Sequence, residues 1–309
     1  MKGPNQIDYY EASKILVANT ECFPNEWWIV KRLYLLQFFQ GAGIAFLFTS
    51  AFAQFLEKFP ITQLPWVMVW SALLLWVTGL LYARLEHSMS FGKFNITILI
   101  FMTGSMFLMW IANFTITDDW FLYMLMAWFH VLYMLNNMEF WGIASLLFDL
   151  RQSKRLFAVI SAGDIPAKFI GYSLAIIFVP YTGTQNLLLI GALCMLASLP
   201  FFISILRSGK LDAHRHQNDH RKAGVSSKPI RKLMKNIVAN TYIRRIAFIS
   251  LITSICVILI TYGFYGEVKK AYQDDVALAT FIAFFYASIR VVAFITKMAM
   301  KVASATSYW

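Results

Sequence analysis

The chain has 309 residues, of which 59% are hydrophobic and only 14% are charged. Soluble domains carry roughly a quarter charged residues, so this composition excludes an ordinary soluble globular protein and indicates an integral membrane protein. The formal net charge is +11. The positions of the Lys and Arg residues along the chain identify this charge as a signal of membrane topology. A nucleic-acid partner is not needed to account for it.

Eight apolar segments follow one another, each long enough for the roughly 20 residues that a helix needs to cross a bilayer core. We therefore predict an all-α fold, a polytopic transmembrane helix bundle of about 8 spans. The predicted spans are 33–56, 64–83, 94–113, 120–148, 157–179, 184–206, 246–266 and 276–295. The polar segment 1–32 has no cleavable signal peptide, so the first span must also direct insertion.

The basic residues divide the connecting segments into two groups. Segments 1–32, 84–93, 149–156 and 207–245 hold 20 of the 27 Lys and Arg residues. The opposite connections hold only Lys58, Lys269 and Lys270. The positive-inside rule then predicts a multi-pass protein with a cytoplasmic N-terminus and a cytoplasmic basic loop.

In the first span, Gln37 and Gln40 interrupt an apolar sequence next to Gly41 and Gly43. Gln37 and Gly41 share a helix face, and Gln40 lies beside them. Such a patch of amides and small residues is typical either of the lining of a solute path or of a helix-packing groove.

The fourth and fifth spans carry ionisable side chains, which are costly in a membrane unless they are paired. Glu139 lies ~13 Å from the cytoplasmic end of its span and Lys168 ~16 Å from its own, at 1.5 Å per residue. We therefore predict that the two can neutralise each other, with Asp164, one turn from Lys168, as a second partner. The three charges act either as a packing ion pair or as a gate on a solute path, and these roles are compatible.

Four further residues in the fourth and fifth spans belong to the predicted site. Asn136 shares a face with Glu139 and is expected to line the path. His130, nearer the outside, is either a proton relay or a hydrogen-bonded core histidine. Gly163 and Pro166 predict a kink or hinge in the fifth span, although close packing explains the small residues nearly as well.

The long basic segment 207–245 separates the sixth span from the seventh. Its part from 229 to 245 is typical of a basic surface helix against anionic headgroups. His214, His216 and His220 lie among Arg and Lys residues, which favours a solvated linker over a metal site.

The remaining apolar segments begin a second group of spans. In the eighth, Arg290 either binds an anionic solute or extends toward the membrane surface. We predict four regions: a cytoplasmic segment 1–32, a six-helix bundle 33–206, a basic cytoplasmic linker 207–245, and an incomplete second bundle 246–309. The chain is expected to be truncated relative to a twelve-helix protein.

No phosphate-binding glycine loop, zinc signature, nucleophile elbow or catalytic triad occurs, so we expect neither an enzyme nor a cofactor or metal. Of the three cysteines, Cys194 and Cys256 lie in apolar spans, where buried packing is the expected role.

Six spans, a basic linker and further spans resemble the plan of the major facilitator superfamily. The segment FDLRQSKRLFAVISAGDIPAKFIGY (148–172) is similar to the corresponding region of the ATP/ADP translocase-related branch, as found in Bacteroidota-type bacteria. The matching residues are Lys154, Arg155, Leu156, Phe157 and Gly163, with Glu26, Phe38, Phe39 and Gly41 near the first span. The connection 82–93 departs from the pattern, because it keeps only Arg84 and Gly92.

The resemblance implies a secondary transporter in a bacterial inner membrane. It would move a small solute, anionic or nucleotide-like, by alternating access between two helix bundles. The alternative is a non-transporting scaffold or sensor that binds lipid or a partner through its basic loop. The predicted partners are the solute and the lipid bilayer, no nucleic acid is expected, and the oligomeric state stays open.

Overall fold

The computed structural model describes residues 24–116, 118–147, 163–207 and 240–306. These residues form long helices joined by short connections, with no strand among them, which confirms the all-α prediction. The helices are α1 (Pro24–Lys58), α2 (Leu64–Ser88), α3 (Phe91–Thr115), α4 (Trp120–Leu147), α5 (Asp164–Leu206), α6 (Thr241–Ala271) and α7 (Asp275–Thr306), with a single 3-10 turn at Ile61–Gln63.

Six helices in the described part of the chain are long and apolar enough to cross a membrane: all those above except α4. A histidine, two asparagines and Glu139 lower the hydropathy of α4, although its 28 residues are sufficient in length. The element α5 counts once among the six, so the prediction of about eight spans is not confirmed as a number. The predicted start of the fifth span at 157 lies outside the described residues.

The 43-residue element α5 is interrupted by one residue with a non-helical backbone. Gly183 has φ 78° and ψ 165°, which is the only positive φ among the described residues. This region of backbone space is open almost exclusively to glycine. Pro180, three residues earlier, supplies no backbone N–H and further weakens the helix here. The predicted spans five and six meet at this point.

Contacts with α1 show that the two parts of α5 run in opposite directions. In the first part, Ala167 lies against Gly41 and Gly171 lies against Ala45, so the residue numbers rise together. In the second part, Thr184 accepts a hydrogen bond from Ser50, while Phe201 stacks on Phe39 at 5.5 Å between ring centroids. Here the residue numbers of α5 rise while those of the contacting α1 residues fall, so α5 is a helical hairpin with its turn at Gly183.

We predict that replacing Gly183 with alanine lowers the free energy of unfolding by about 1–3 kcal/mol, because alanine cannot adopt this backbone conformation without strain. Gly104 is the matched control. It is helical and an added Cβ there meets no heavy atom within 4 Å, so Gly104→Ala should stabilise the protein by about 0.5–1 kcal/mol. Thermal unfolding in detergent measures both. Equal melting temperatures for the two variants would contradict the strained turn.

Helix α1 lies at the centre of the assembly. It packs against α4, α7 and both parts of α5, and its side chains are almost all buried from Leu36 to Leu56. Helix α2 is peripheral and carries exposed tryptophans at Trp66, Trp70 and Trp76. Apolar side chains thus cover the outer surface as well as the core, as expected for helices that face lipid.

Helix α6 is the least covered helix. Its residues 241–260 are all exposed, although most are apolar, and only Tyr265 and Val268 near its end are buried. Cys256 is therefore exposed, which corrects the expectation of a buried cysteine, while Cys194 is half-buried. Helix α7 packs on α5 and α1. The predicted segment 1–32 and the linker 207–245 lie mostly outside the described residues, so those domain boundaries stay predictions.

Candidate functional site

Five polar residues from three helices meet inside the apolar packing. We call them the central polar cluster: Gln37 and Gln40 on α1, Glu139 on α4, and Asp164 and Lys168 on the first part of α5. Gln40 and Glu139 are fully buried, and Lys168 is 3% exposed. The sequence predicted all five residues as one site, and the structure brings them together.

Asp164 and Lys168 form an ion pair within the first turns of α5. The Nζ atom of Lys168 lies 2.8 Å from Oδ1 and 2.9 Å from Oδ2 of Asp164. The same ammonium lies 5.1 Å from the ring centroid of Tyr133 on α4, which is a cation–π distance. The Lys168 side chain is 4% exposed and that of Asp164 is 23% exposed, so the pair has one buried and one more exposed end.

Two amides connect α1 to the acidic groups. Gln37 donates to Oδ1 of Asp164 at 3.4 Å, and Gln40 donates to Oε2 of Glu139 at 3.2 Å. Gly41, the residue after Gln40, permits the close approach of α5, because a Cβ there would lie 3.0 Å from that of Ala167. Helix α1 therefore contacts both carboxyl groups.

The structure distinguishes the two partners that the sequence offered Lys168. Among the described residues, Lys168 makes its ion pair with Asp164, and no ion pair joins it to Glu139. The predicted mutual neutralisation of Glu139 and Lys168 is therefore wrong for this conformation. Asp164 is one turn away on the same helix, so its distance is fixed by helix geometry rather than by packing between helices.

Four buried oxygen atoms in this region accept no hydrogen bond. They belong to Gln37, Gln40, Asn136 and Glu139, whose Oε1 or Oδ1 atoms are all without a donor. Asn136 is 1% exposed and lies one turn before Glu139 on α4. Unsatisfied buried acceptors are costly, so their concentration on α1 and α4 distinguishes this region from ordinary helix packing.

A second polar network, not predicted from the sequence, contrasts with this cluster. Asn113 donates to Gln54, Gln54 donates to Ser50, and Ser50 donates to the carbonyl of Thr184. The hydroxyl of Thr184 in turn donates to Asp275 at 2.6 Å, which ties α5 to α7. None of these residues has a buried side-chain atom without a hydrogen bond. The network is complete and so needs no ligand; polar residues at helical spacing were its only sequence signal.

The hinge residues lie at the beginning of α5. Gly163 directly precedes the helix with helical φ and ψ, and Pro166 lies in its first turn. A proline in the first turn breaks no interior hydrogen bond, so it produces no kink in the described helix. Because residues 148–162 lie outside the described part, the hinge itself stays a prediction.

His130 is not part of the central polar cluster. Its Nδ1 lies 3.0 Å from the carbonyl oxygen of Met126 and 3.4 Å from the hydroxyl of Ser71 on α2. This geometry is that of a hydrogen-bonded core histidine, the second of its two predicted roles.

Arg290 on α7 lies near the tyrosine hydroxyls of a neighbouring group. Its guanidinium interacts with Tyr172 and Tyr286, and Tyr286 is hydrogen-bonded to Tyr265 at 2.8 Å. Its Nε atom is buried without a hydrogen bond, and none of the described carboxylates forms an ion pair with it. The group is cationic and rich in hydroxyls, which is suited to an anion.

In the described residues, no three His, Cys, Asp or Glu side chains come together in a way that could hold a metal ion. Comparison with known proteins adds no relative: no family model matches this sequence, and no curated protein or solved structure matches it.

Proposed function

We propose that the chain is a secondary membrane transporter that moves a small solute by alternating access. The observation that carries this proposal is the central polar cluster, which places two acids, a lysine and two amides where three apolar helices meet. Burying such groups costs several kcal/mol per ion relative to apolar packing, so they are poorly explained by stability alone. Intramembrane charges mark solute or ion pathways by default.

The proposed architecture has eight membrane crossings: α1 to α4, the two parts of α5, α6 and α7. The reversal at Gly183 supports counting α5 twice, because each part is near the roughly 20 residues that one crossing needs. The distribution of Lys and Arg supports a cytoplasmic N-terminus. The resemblance to facilitator transporters supports a bacterial inner membrane as the location of the protein.

The gate in this proposal is the Asp164–Lys168 pair together with its bond to Gln37. Alternating access requires α1 and α5 to separate on one side of the membrane, and that motion must break the 3.4 Å contact between Gln37 and Asp164. In this proposal the solute reaches the pair from its more exposed end, at Asp164.

The proposed solute is a small anion, which the resemblance makes nucleotide-like. Support comes from Arg290, a cation on α7 beside the hydroxyls of Tyr172 and Tyr286. Arginine presents a planar fork of donors that fits carboxylate and phosphate groups.

Uptake into proteoliposomes tests the transport function, with labelled phosphate, ADP and ATP as probes and glucose as an uncharged comparison. The double variant Asp164→Asn, Lys168→Met removes both charges together, so no charge is left unpaired. We expect it to fold and to lose about tenfold or more of the uptake rate, about 1.4 kcal/mol of barrier.

The matched control is Glu267→Gln, Lys270→Met on α6, which removes an exposed pair of similar spacing. It should transport at the original rate. Uptake that is equal in the two double variants would contradict the gating role, and no uptake of any charged probe by the unmodified protein would contradict the proposed solute class.

The alternative is a scaffold or sensor that acts through the basic segment 207–245. The observation in its favour is the uncovered apolar surface of α6, which directly follows that segment. If this alternative holds, the unmodified protein should show no uptake of any probe, and neutralising Arg231, Lys232 and Lys235 should abolish its binding to lipid or partner. A transporter should show uptake at a rate that these three changes leave unaltered.

A further inference from the structure

The carboxyl group of Glu139 is completely buried and has a single polar contact. Its Oε2 atom accepts a hydrogen bond from Gln40 at 3.2 Å, and its Oε1 atom accepts none. Within the described residues, no cation lies within ion-pair distance of it. An ionised carboxylate in this position would be an uncompensated charge in apolar packing, which costs several kcal/mol.

In the described helices around Glu139, no charged group acts as its ion-pair partner. On α5, Lys168 is held by Asp164 at 2.8 Å. On α3, the only charged residue, Lys93, is exposed. On α2, the titratable group that interacts with Glu139 is the hydroxyl of Tyr82, which is neutral or anionic and never positive. On α1, the facing side chain is the neutral amide of Gln40.

A proton on Glu139 would satisfy both unsatisfied atoms of this pair. The side chains already meet through Oε2, and Oε1 of each is without a hydrogen bond, so a proton on Oε1 of Glu139 supplies the donor that Oε1 of Gln40 needs. The acid and the amide would then be joined by two hydrogen bonds, one in each direction. The conclusion is the same if the oxygen and nitrogen atoms of the Gln40 amide exchange places. One oxygen of the acid and the oxygen of the amide would still have to share a hydrogen.

We propose that Glu139 is a proton-binding site, paired with Gln40, and that its proton is the coupling ion of the transporter. In the conformation described here the carboxyl group is protonated and neutral. When α1 and α4 separate and water reaches the group, the O–H bond breaks, the proton passes to water and the carboxylate remains. The coupling role rests on the proposed transport function, whereas the protonation rests on the contacts alone.

Infrared spectroscopy of the full-length protein in liposomes tests the protonation directly. At neutral pH we expect a carbonyl stretching band of a protonated carboxylic acid, which disappears in Glu139→Gln. The glutamine variant should fold with unchanged thermal stability, because an amide replaces a neutral acid of the same shape. Glu267→Gln, which removes an exposed carboxyl group on α6, is the control and should leave the band unchanged.

A second variant, Gln40→Leu, keeps the acid and removes its partner. The band should persist and shift in frequency, because the two hydrogen bonds are lost. Absence of a Glu139-dependent band at neutral pH overturns the proton site. A band that responds to sodium chloride but not to choline chloride of equal concentration also overturns it, in favour of a sodium site.

The coupling role is tested separately, with a pH gradient imposed across proteoliposomes and labelled phosphate, ADP and ATP as probes. We expect the gradient to accelerate uptake in the unmodified protein, and Glu139→Gln to lose about tenfold or more of that gradient-driven rate, about 1.4 kcal/mol. An uptake rate that does not change with the pH gradient overturns the coupling role. An infrared band without any uptake overturns the transport function and leaves the proton site in place.

Discussion

Replacing Lys168 with methionine is expected to lower the free energy of unfolding by about 3–5 kcal/mol, the usual cost of removing one partner of a buried ion pair. The Lys168 side chain is 4% exposed, and its Nζ atom lies 2.8 Å from Oδ1 of Asp164. Without Lys168, the carboxylate keeps the 3.4 Å contact with Gln37 and the partial exposure of its own side chain as compensation. The measurement is chemical unfolding in detergent, followed by the loss of helical signal.

A double-mutant cycle separates the lost attraction from the cost of the unpaired charge. Adding Asp164→Asn to Lys168→Met removes that charge, so the double variant should recover most of the stability. Lys270→Met breaks an exposed pair on α6 and should change stability by only about 0–1 kcal/mol. If Lys168→Met were no less stable than Lys270→Met, the pair would not be buried as described.

The second large effect is expected at the contact between α1 and α5. A Cβ added at Gly171 would lie 2.9 Å from Cβ of Ala45 and 3.1 Å from Cα of Ala42. These atoms are fixed to the backbone of α1, so the helices must move apart. We expect Gly171→Ala to lower the free energy of unfolding by about 1–3 kcal/mol and Gly171→Val by more, because overpacking of a tight contact forces backbone shifts.

Size-exclusion chromatography and thermal unfolding in detergent measure this effect. Gly263 is the control, since an added Cβ there meets no heavy atom within 4 Å, and Gly263→Ala should be neutral or slightly stabilising. A Gly171→Val variant that elutes and melts like the unmodified protein would contradict the packing of α5 on α1.

The helices could be located from sequence because a long apolar segment is a local property. The predicted span 33–56 falls inside α1, and 246–266 falls inside α6. A count of membrane spans by hydropathy alone misses helices in which polar groups are concentrated. Helix α4 is the example: it is long enough to cross a membrane but carries Asn136 and Glu139. Its predicted span, 120–148, depended on length and low charge instead.

The members of the central polar cluster were also predictable, because any amide or charge in an apolar helix stands out. Their pairing was not. Depth along each helix made Glu139 and Lys168 suitable partners, but depth says nothing about which faces of the helices meet. The packing of α1 between α4 and α5 places Gln40 within hydrogen-bond distance of Glu139, and Lys168 pairs with Asp164 instead.

The sequence by itself therefore determined the all-helical class, the apolar segments and the residues of the candidate site, since each follows from composition and spacing along the chain. The tertiary structure decided the reversal at Gly183, the partner of each charge and which buried oxygens lack a donor. These properties depend on the rotation and approach of helices that are distant in sequence. Contacts such as Gly171 on Ala42 and Ala45 set that approach, and no local pattern encodes it.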